Sequence, residues 1–226
     1  MDSIPTVVLD QSCASLVEPV GKFAPVIVYE RSGGFLEEPR LAAAEMHAQL
    51  AIRGSEAPYL LVGASYAAFT QLLFAFQWPQ SVAGMILVDP SHPLQGKKAL
   101  ARLAASPIGA SEAVEQFRAL LAGFGPGWEQ GCRQVAAVSS LGQLLLLVLA
   151  AGALEMPVEL TSSLRAALMH ERHELLLDYC RLTGRGEMKI VAGVGHDITR
   201  LAPDVVIEAI RQMIGMICQG RPPLEY

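Results

Sequence analysis

Short, almost unbroken apolar runs are the feature that most constrains how this chain can fold. They lie at residues 6–9, 26–29, 59–62, 85–88, 158–160 and 189–192. A strand with one face in water alternates apolar and polar residues. A run that is apolar at consecutive positions belongs to a strand covered on both faces. Stretches of helical length separate most of the runs. Residues 38–53 carry Leu41, Met46 and Leu50 at helical spacing, another helix follows residue 67, and residues 203–217 place Val206, Ile210, Ile214 and Ile217 on one stripe. Strands alternating with helices predict an α/β fold with a mainly parallel central sheet flanked by helices. The chain has 226 residues, 52% apolar and 17% charged, enough for one domain with a large core.

The alternation breaks once, between residues 88 and 158. A structureless loop of that length is improbable, so residues 94–154 are expected to form a helical lid insertion on a core of residues 1–93 and 155–226. Its internal turn is Gly123, Gly125, Pro126 and Gly127. Phe117, Leu120, Leu121, Phe124, Trp128 and the run 144–149 make it apolar. That stripe either faces a small apolar substrate or is the lid's own core. Residues 134–154 carry no charge, and a membrane span needs about 20 apolar residues. Ser139, Ser140, Gly142 and Gln143 shorten the apolar part, and a span would separate residues that must meet. A buried or lid helix, with no transmembrane segment, is the expectation.

The stretch YLLVGASYAAF, residues 59–69, lifts one serine out of a buried run between small residues. A nucleophile on a tight strand-to-helix elbow needs small residues two before and two after it, here Gly63 and Ala67. Ser65 would stand at the carboxyl end of a strand, where open α/β sheets bind ligands. A serine hydroxyl needs a base. His196, in VAGVGHDI, follows a strand and a glycine turn. A third group must hold the imidazole tautomer. Asp89, ending the run 85–88, is the first candidate, and Glu159, inside the run 158–160, is the second. His92, three residues after Asp89, is placed to line the pocket. His170 and His173 sit with Glu171 and Arg172 on what looks like a solvated helix face.

In this order the segments resemble the α/β-hydrolase fold superfamily over nearly the whole chain, in an amino-terminally short form. PTVVLDQ is similar to the first core strand leading to the oxyanion loop, VIVYERSGGF to the stretch YDRxGxG, PYLLVGASYAA to the elbow LVGHSxGG, VAGMILVDPSHP to the next strand, and GVGHDI to the catalytic histidine region. The resemblance implies a serine hydrolase with a Ser65, His196 and Asp89 triad. By position it makes the amides of Cys13 and Tyr66 the oxyanion donors. This sequence departs from the pattern where the oxyanion loop is usually glycine-rich: it reads Asp10-Gln11-Ser12-Cys13-Ala14-Ser15. The side chains of Gln11 and Ser12 are candidates to hydrogen-bond a substrate oxygen in compensation. Tyr66 can also turn its ring into the pocket.

The implied substrate is an ester, thioester or lactone of a small apolar molecule, with no metal or organic cofactor. The glycine-poor loop leaves open a non-hydrolytic cyclase, lyase or isomerase, or a ligand binder without turnover. Net charge is −5 with no basic block, which argues against nucleic acid as a partner. Cys13, Cys132, Cys180 and Cys218 show no paired spacing and are expected as free thiols. MDSIPTVVLD lacks a basic region followed by an apolar one, so the expected compartment is the cytoplasm.

Overall fold

The computed structural model describes residues 4–33, 38–109, 111–123 and 125–220. Phe124 of the expected lid stripe, and Gly34 and Phe35 of the VIVYERSGGF segment, lie outside them. The elements run in the order β1 (Thr6–Asp10), a 3-10 helix (Gln11–Leu16), α1 (Val17–Gly21), β2 (Val26–Tyr29), α2 (Pro39–Ile52), β3 (Tyr59–Ala64), α3 (Ala67–Gln77) and β4 (Val82–Val88). Then come α4 (Gln95–Ala104), α5 (Glu112–Leu121), α6 (Pro126–Ala136), β5 (Leu145–Ala151), α7 (Ser162–Cys180), β6 (Arg185–Val191), α8 (Ile198–Leu201) and α9 (Pro203–Gln219). The six strands form one sheet in the order β2-β1-β3-β4-β5-β6, and every pairing is parallel.

The unbroken runs are apolar because successive residues feed opposite layers. In β3, Leu61 points to one layer while Leu60 and Val62 point to the other. The first layer is built by Met46 and Leu50 of α2, Phe69 and Leu72 of α3, Val135 of α6 and Leu176 of α7. The second is built by Leu16, Val20 of α1, Ile198 of α8, and Val206, Ile210 and Met213 of α9. With both faces covered, no strand position in the middle of the sheet is left for a polar side chain.

Two expectations are corrected here. The run expected in a lid helix is the inner strand β5. Leu146, Val148 and Ala150 enter the first layer, and Leu145, Leu147, Leu149 and Ala151 the second. A short run that is apolar all round has the same pattern in a buried strand and a buried helix, so periodicity could not separate them. The helical insertion therefore ends at α6, before β5 begins. The run 158–160 is not a strand: Val158 is 84% exposed, Leu160 joins a small cluster with Leu103, Val114 and Leu168, and Thr161 caps α7 by accepting the Leu164 amide at 3.2 Å. Among the described residues, no helix is long and apolar enough to cross a membrane.

Connections from β1 to β2 and from β1's other neighbour β3 to β4 run in opposite directions along the sheet. The order reverses between β1 and β3, and a crevice opens outside the carboxyl ends of strands at such a point. The 3-10 helix after β1 and the turn after β3 border it.

The burial of these two runs is checked by urea unfolding. Leu149→Ala in β5 should cost about 2–5 kcal/mol, as for other buried leucines. Val158→Ala should stay within about 0.5 kcal/mol of wild type.

Candidate active site

Ala64 and Val88 are register partners at the ends of β3 and β4. The next residue on each strand, Ser65 and Asp89, leaves the sheet with φ of 52° and 40°. They are the only non-glycine residues with positive φ among those described. Left-handed backbone in a residue with a Cβ costs of order 1–3 kcal/mol and persists only where the surroundings impose it. Here the ladder continues one step past each strand. The Ser65 amide donates to the Val88 carbonyl at 3.0 Å, and the Asp89 amide to the Leu149 carbonyl at 2.7 Å. The Ser91 amide then donates back to the Ser65 carbonyl at 3.1 Å. The elbow also needs its first small residue, because a Cβ on Gly63 would stand 2.6 Å from Cγ of Gln71.

His196 sits between β6 and α8. The turn is shaped by Gly193, whose φ is 72°, and Asp197 caps α8 by accepting the Arg200 amide. The imidazole Nε2 lies 3.0 Å from Ser65 Oγ, and Nδ1 is hydrogen-bonded to Asp89 Oδ2. The three side chains predicted from separate segments thus form one chain of hydrogen bonds. Its serine end is open: the His196 side chain is 51% exposed while Asp89 is wholly buried. Burial pushes the Asp89 carboxyl up, but the hydrogen bond from His196, the Arg172 guanidinium and the Ala151 amide outweigh it and hold it below the usual carboxylate range.

Glu159, the second candidate acid, is placed in the exposed turn before α7. Hydrogen bonding from Ser111 lowers its carboxyl, and no contact with His196 is present among the described residues. A turn position, rather than a strand end, takes it out of the sheet's carboxyl edge.

The expected oxyanion loop is the 3-10 helix. Its backbone is right-handed, so it has no need of glycine. Asp10 caps it, with Oδ1 accepting the Ser12 amide at 2.9 Å, and its Oδ2 lies 3.7 Å from Nε of the buried Arg31. Cys13 stands at the third helical position, where i→i+3 bonding turns its amide back toward the Asp10 carbonyl. Its side chain is buried, and burial followed by the charge of Asp10 pushes the thiol up to about 12, which rules it out as a thiolate nucleophile near neutral pH. Gln11 is exposed and accepts the Arg31 amide through Oε1 at 3.3 Å, while Ser12 Oγ is 3.9 Å from Cys13 Sγ.

Tyr66 is the N-cap of α3, and the first turn closes on it: the Ala68 amide donates to the Ser65 carbonyl at 3.3 Å and the Phe69 amide to the Tyr66 carbonyl at 3.0 Å. The Tyr66 ring does not enter the pocket. It packs against Phe69 and Trp128 with centroids 5.1 and 5.5 Å away, and its hydroxyl donates to the Gly127 carbonyl at 3.3 Å. Gly131 of α6 makes room, since a Cβ there would meet that hydroxyl at 2.5 Å. His92 is also buried rather than lining an opening. Its Nδ1 accepts the Leu94 amide at 3.2 Å and its ring packs on Tyr179, so burial lowers its pKa to about 4.

Sequence reasoning missed the inner face of α7. The side chain of Arg172 is 13% exposed and reaches Asp89, His173 Nε2 meets the Ala151 carbonyl at 2.9 Å, and the Tyr179 hydroxyl donates to the Ser91 carbonyl. Once β5 is read as a strand, α7 becomes its crossover helix and must have a buried side, which is the signal that could have found them. Among the described residues there is no group of three side chains able to hold a metal ion.

Solved structures with this architecture share little sequence. A thermophilic esterase from Thermogutta terrifontis superposes with a TM-score of 0.59 at 15% identity, over 95% of this chain and 90% of its own. An α/β hydrolase from a sediment metagenome of the Mar Chica lagoon, Morocco, gives 0.60 at 12%, over 97% and 93%. The chain has the α/β-hydrolase fold. A serine hydrolase involved in carbazole degradation also matches this α/β-hydrolase architecture, with a TM-score of 0.57 at 10% identity, over 94% of this chain and 91% of that one. No protein-family model matches the sequence, and no curated protein does.

Two stability outcomes follow from this geometry. Ser65→Gly should raise stability by about 1 kcal/mol in thermal unfolding, because glycine carries the left-handed φ without strain. His92 is held neutral in the folded state, so the unfolded chain takes up the extra proton as pH falls below ~6.5, and stability drops until about pH 4. His92→Gln should remove up to roughly 3 kcal/mol of that loss, measured by urea unfolding across the same range.

Proposed function

We propose that this protein is a serine hydrolase acting on a carboxylic ester, thioester or lactone of a small apolar molecule. The observation that carries the reading is the 3.0 Å contact from His196 Nε2 to Ser65 Oγ, with Nδ1 of the same ring on the buried Asp89. The esterase and serine hydrolase with the same fold agree with it.

In this reading His196 takes the Ser65 proton as Oγ attacks the substrate carbonyl. Asp89 holds the tautomer whose Nε2 is free to accept, and stabilises the imidazolium that forms. The Tyr66 amide, at the positive end of α3, faces the developing oxyanion. The tetrahedral intermediate collapses to an acyl-enzyme as His196 gives its proton to the leaving oxygen or sulfur. Water, activated by the same imidazole, then releases the acid and restores Ser65. The amide of Cys13 joins the oxyanion hole only when the first turn of the 3-10 helix opens. Losing one such donor costs about 10²–10³-fold in rate elsewhere.

That closed turn favours a second reading. A cyclase, lyase or isomerase would use the Ser65–His196 pair for proton transfer without an acyl-enzyme, and would need the oxyanion hole less.

Intact mass after treatment with a fluorophosphonate separates the two. The hydrolase reading expects one adduct on wild type and none on Ser65→Ala, together with turnover of short-chain nitrophenyl esters. Asp89→Asn should keep the fold and lower kcat by about 10⁴-fold, the loss seen when a triad acid can no longer hold the tautomer. A folded wild type that takes no adduct counts against the hydrolase and leaves the proton-transfer reading and a ligand binder without turnover.

A further inference from the structure

Asp89 is shared between an imidazole and a guanidinium. Its Oδ1 accepts the Ala151 amide at 2.9 Å, which satisfies that oxygen within the sheet. Its Oδ2 meets both His196 Nδ1 and, at 2.8 Å, Nη2 of Arg172. The guanidinium is fixed from the other side: Nη1 donates at 3.1 Å to Gln95 Oε1, which also accepts the His92 amide at 3.0 Å. With Asp89 wholly buried and the arginine side chain 13% exposed, solvent screens this contact little.

We propose that Arg172 is a positioning residue that partly neutralises Asp89, so that His196 gives up its proton at lower pH than an unaided histidine–carboxylate pair and remains a base there. The inference rests on the reading of Ser65, His196 and Asp89 given above. A carboxylate beside an imidazole favours the protonated ring; a guanidinium on the same carboxylate oxygen takes back part of that preference. Arginine stays protonated throughout, so the effect is one of charge and orientation and no proton passes through it. With Nη1 held on Gln95, the guanidinium keeps Nη2 on Oδ2, the oxygen that also meets His196.

The other charged groups around the pair have partners of their own. His92, after β4, lies 3.7 Å from Asp178 of α7, which also binds Arg181 at 2.6 Å. Lys98 of α4 acts on His92. Glu171 of α7 binds Arg102 of α4 at 3.1 Å, and His173 is held on the Ala151 carbonyl. Beside His196, Asp197 binds Arg200 at 2.8 Å. Among the described residues, Arg172 is the arginine or lysine in direct contact with Asp89.

The test compares wild type with Arg172→Gln, Arg172→Met and Arg172→Lys. The readouts are the His196 imidazole titration, followed by NMR on carbon-labelled histidine, and the pH dependence of fluorophosphonate labelling at Ser65. In the neutral variants the His196 midpoint and the acid limb of labelling should both move up by about one pH unit. Arg172→Lys, which keeps the charge but loses the fork, should fall between them and wild type. An arginine with a purely structural role would lower labelling equally at every pH. An unmoved midpoint in a neutral variant with wild-type circular dichroism overturns the proposal, and should both neutral variants unfold, an unmoved midpoint in Arg172→Lys does the same. A midpoint that moves in a protein that takes up no probe supports the role of Arg172 and removes the serine-hydrolase reading instead.

Discussion

A carboxylate with no exposure to water has to be satisfied by the fold around it, and Asp89 makes that demand at the centre of this molecule. Its partners come from three places far apart in the chain: the amide of Ala151 at the end of β5, the imidazole of His196 after β6, and the guanidinium of Arg172 in α7. Leaving a buried charge without such partners costs several kcal/mol. The position of β5 beside β4, the return of the chain through α7 and the path of the loop after β6 are therefore coupled through one side chain.

The parallel sheet turns that coupling into a site. Register places the ends of β3 and β4 level with one another, and each strand is followed by a residue in the left-handed region. Ser65 and Asp89 are thereby lifted to the same edge, on neighbouring strands, next to the point where strand order reverses. The strain at these two positions is held by hydrogen bonds that extend the ladder one residue beyond each strand. Rigid elements hold the proposed nucleophile and acid, while the imidazole between them reaches solvent.

The segment after β1 shows how a departure in sequence can be a different local structure. With no glycine available, the chain enters a right-handed 3-10 helix capped by Asp10, and the cap is fixed against Arg31. The amides of Ser12 and Cys13 are drawn into that helix. What is elsewhere an open, glycine-rich loop is here closed on itself, which is why the choice between acyl transfer and proton-transfer chemistry turns on this segment.

The fold class and the elbow serine were legible in the sequence alone, because both are local signals. Continuous apolar runs mark strands covered on both faces, and a serine between small residues marks an elbow. The sequence could not tell β5 from a buried helix, since a stretch apolar on every side carries no period, and it took 158–160 for a strand when these residues form the turn leading into a capped helix. Those two errors hid α7's inner face, so Arg172, His173 and Tyr179 looked like a solvated helix or like nothing in particular. Only the tertiary structure decided that Asp89 rather than Glu159 meets His196, that Tyr66 and His92 turn into the core, and that Arg172 reaches the buried carboxylate. These are contacts between segments tens of residues apart, set by strand order and crossover rather than by any local pattern.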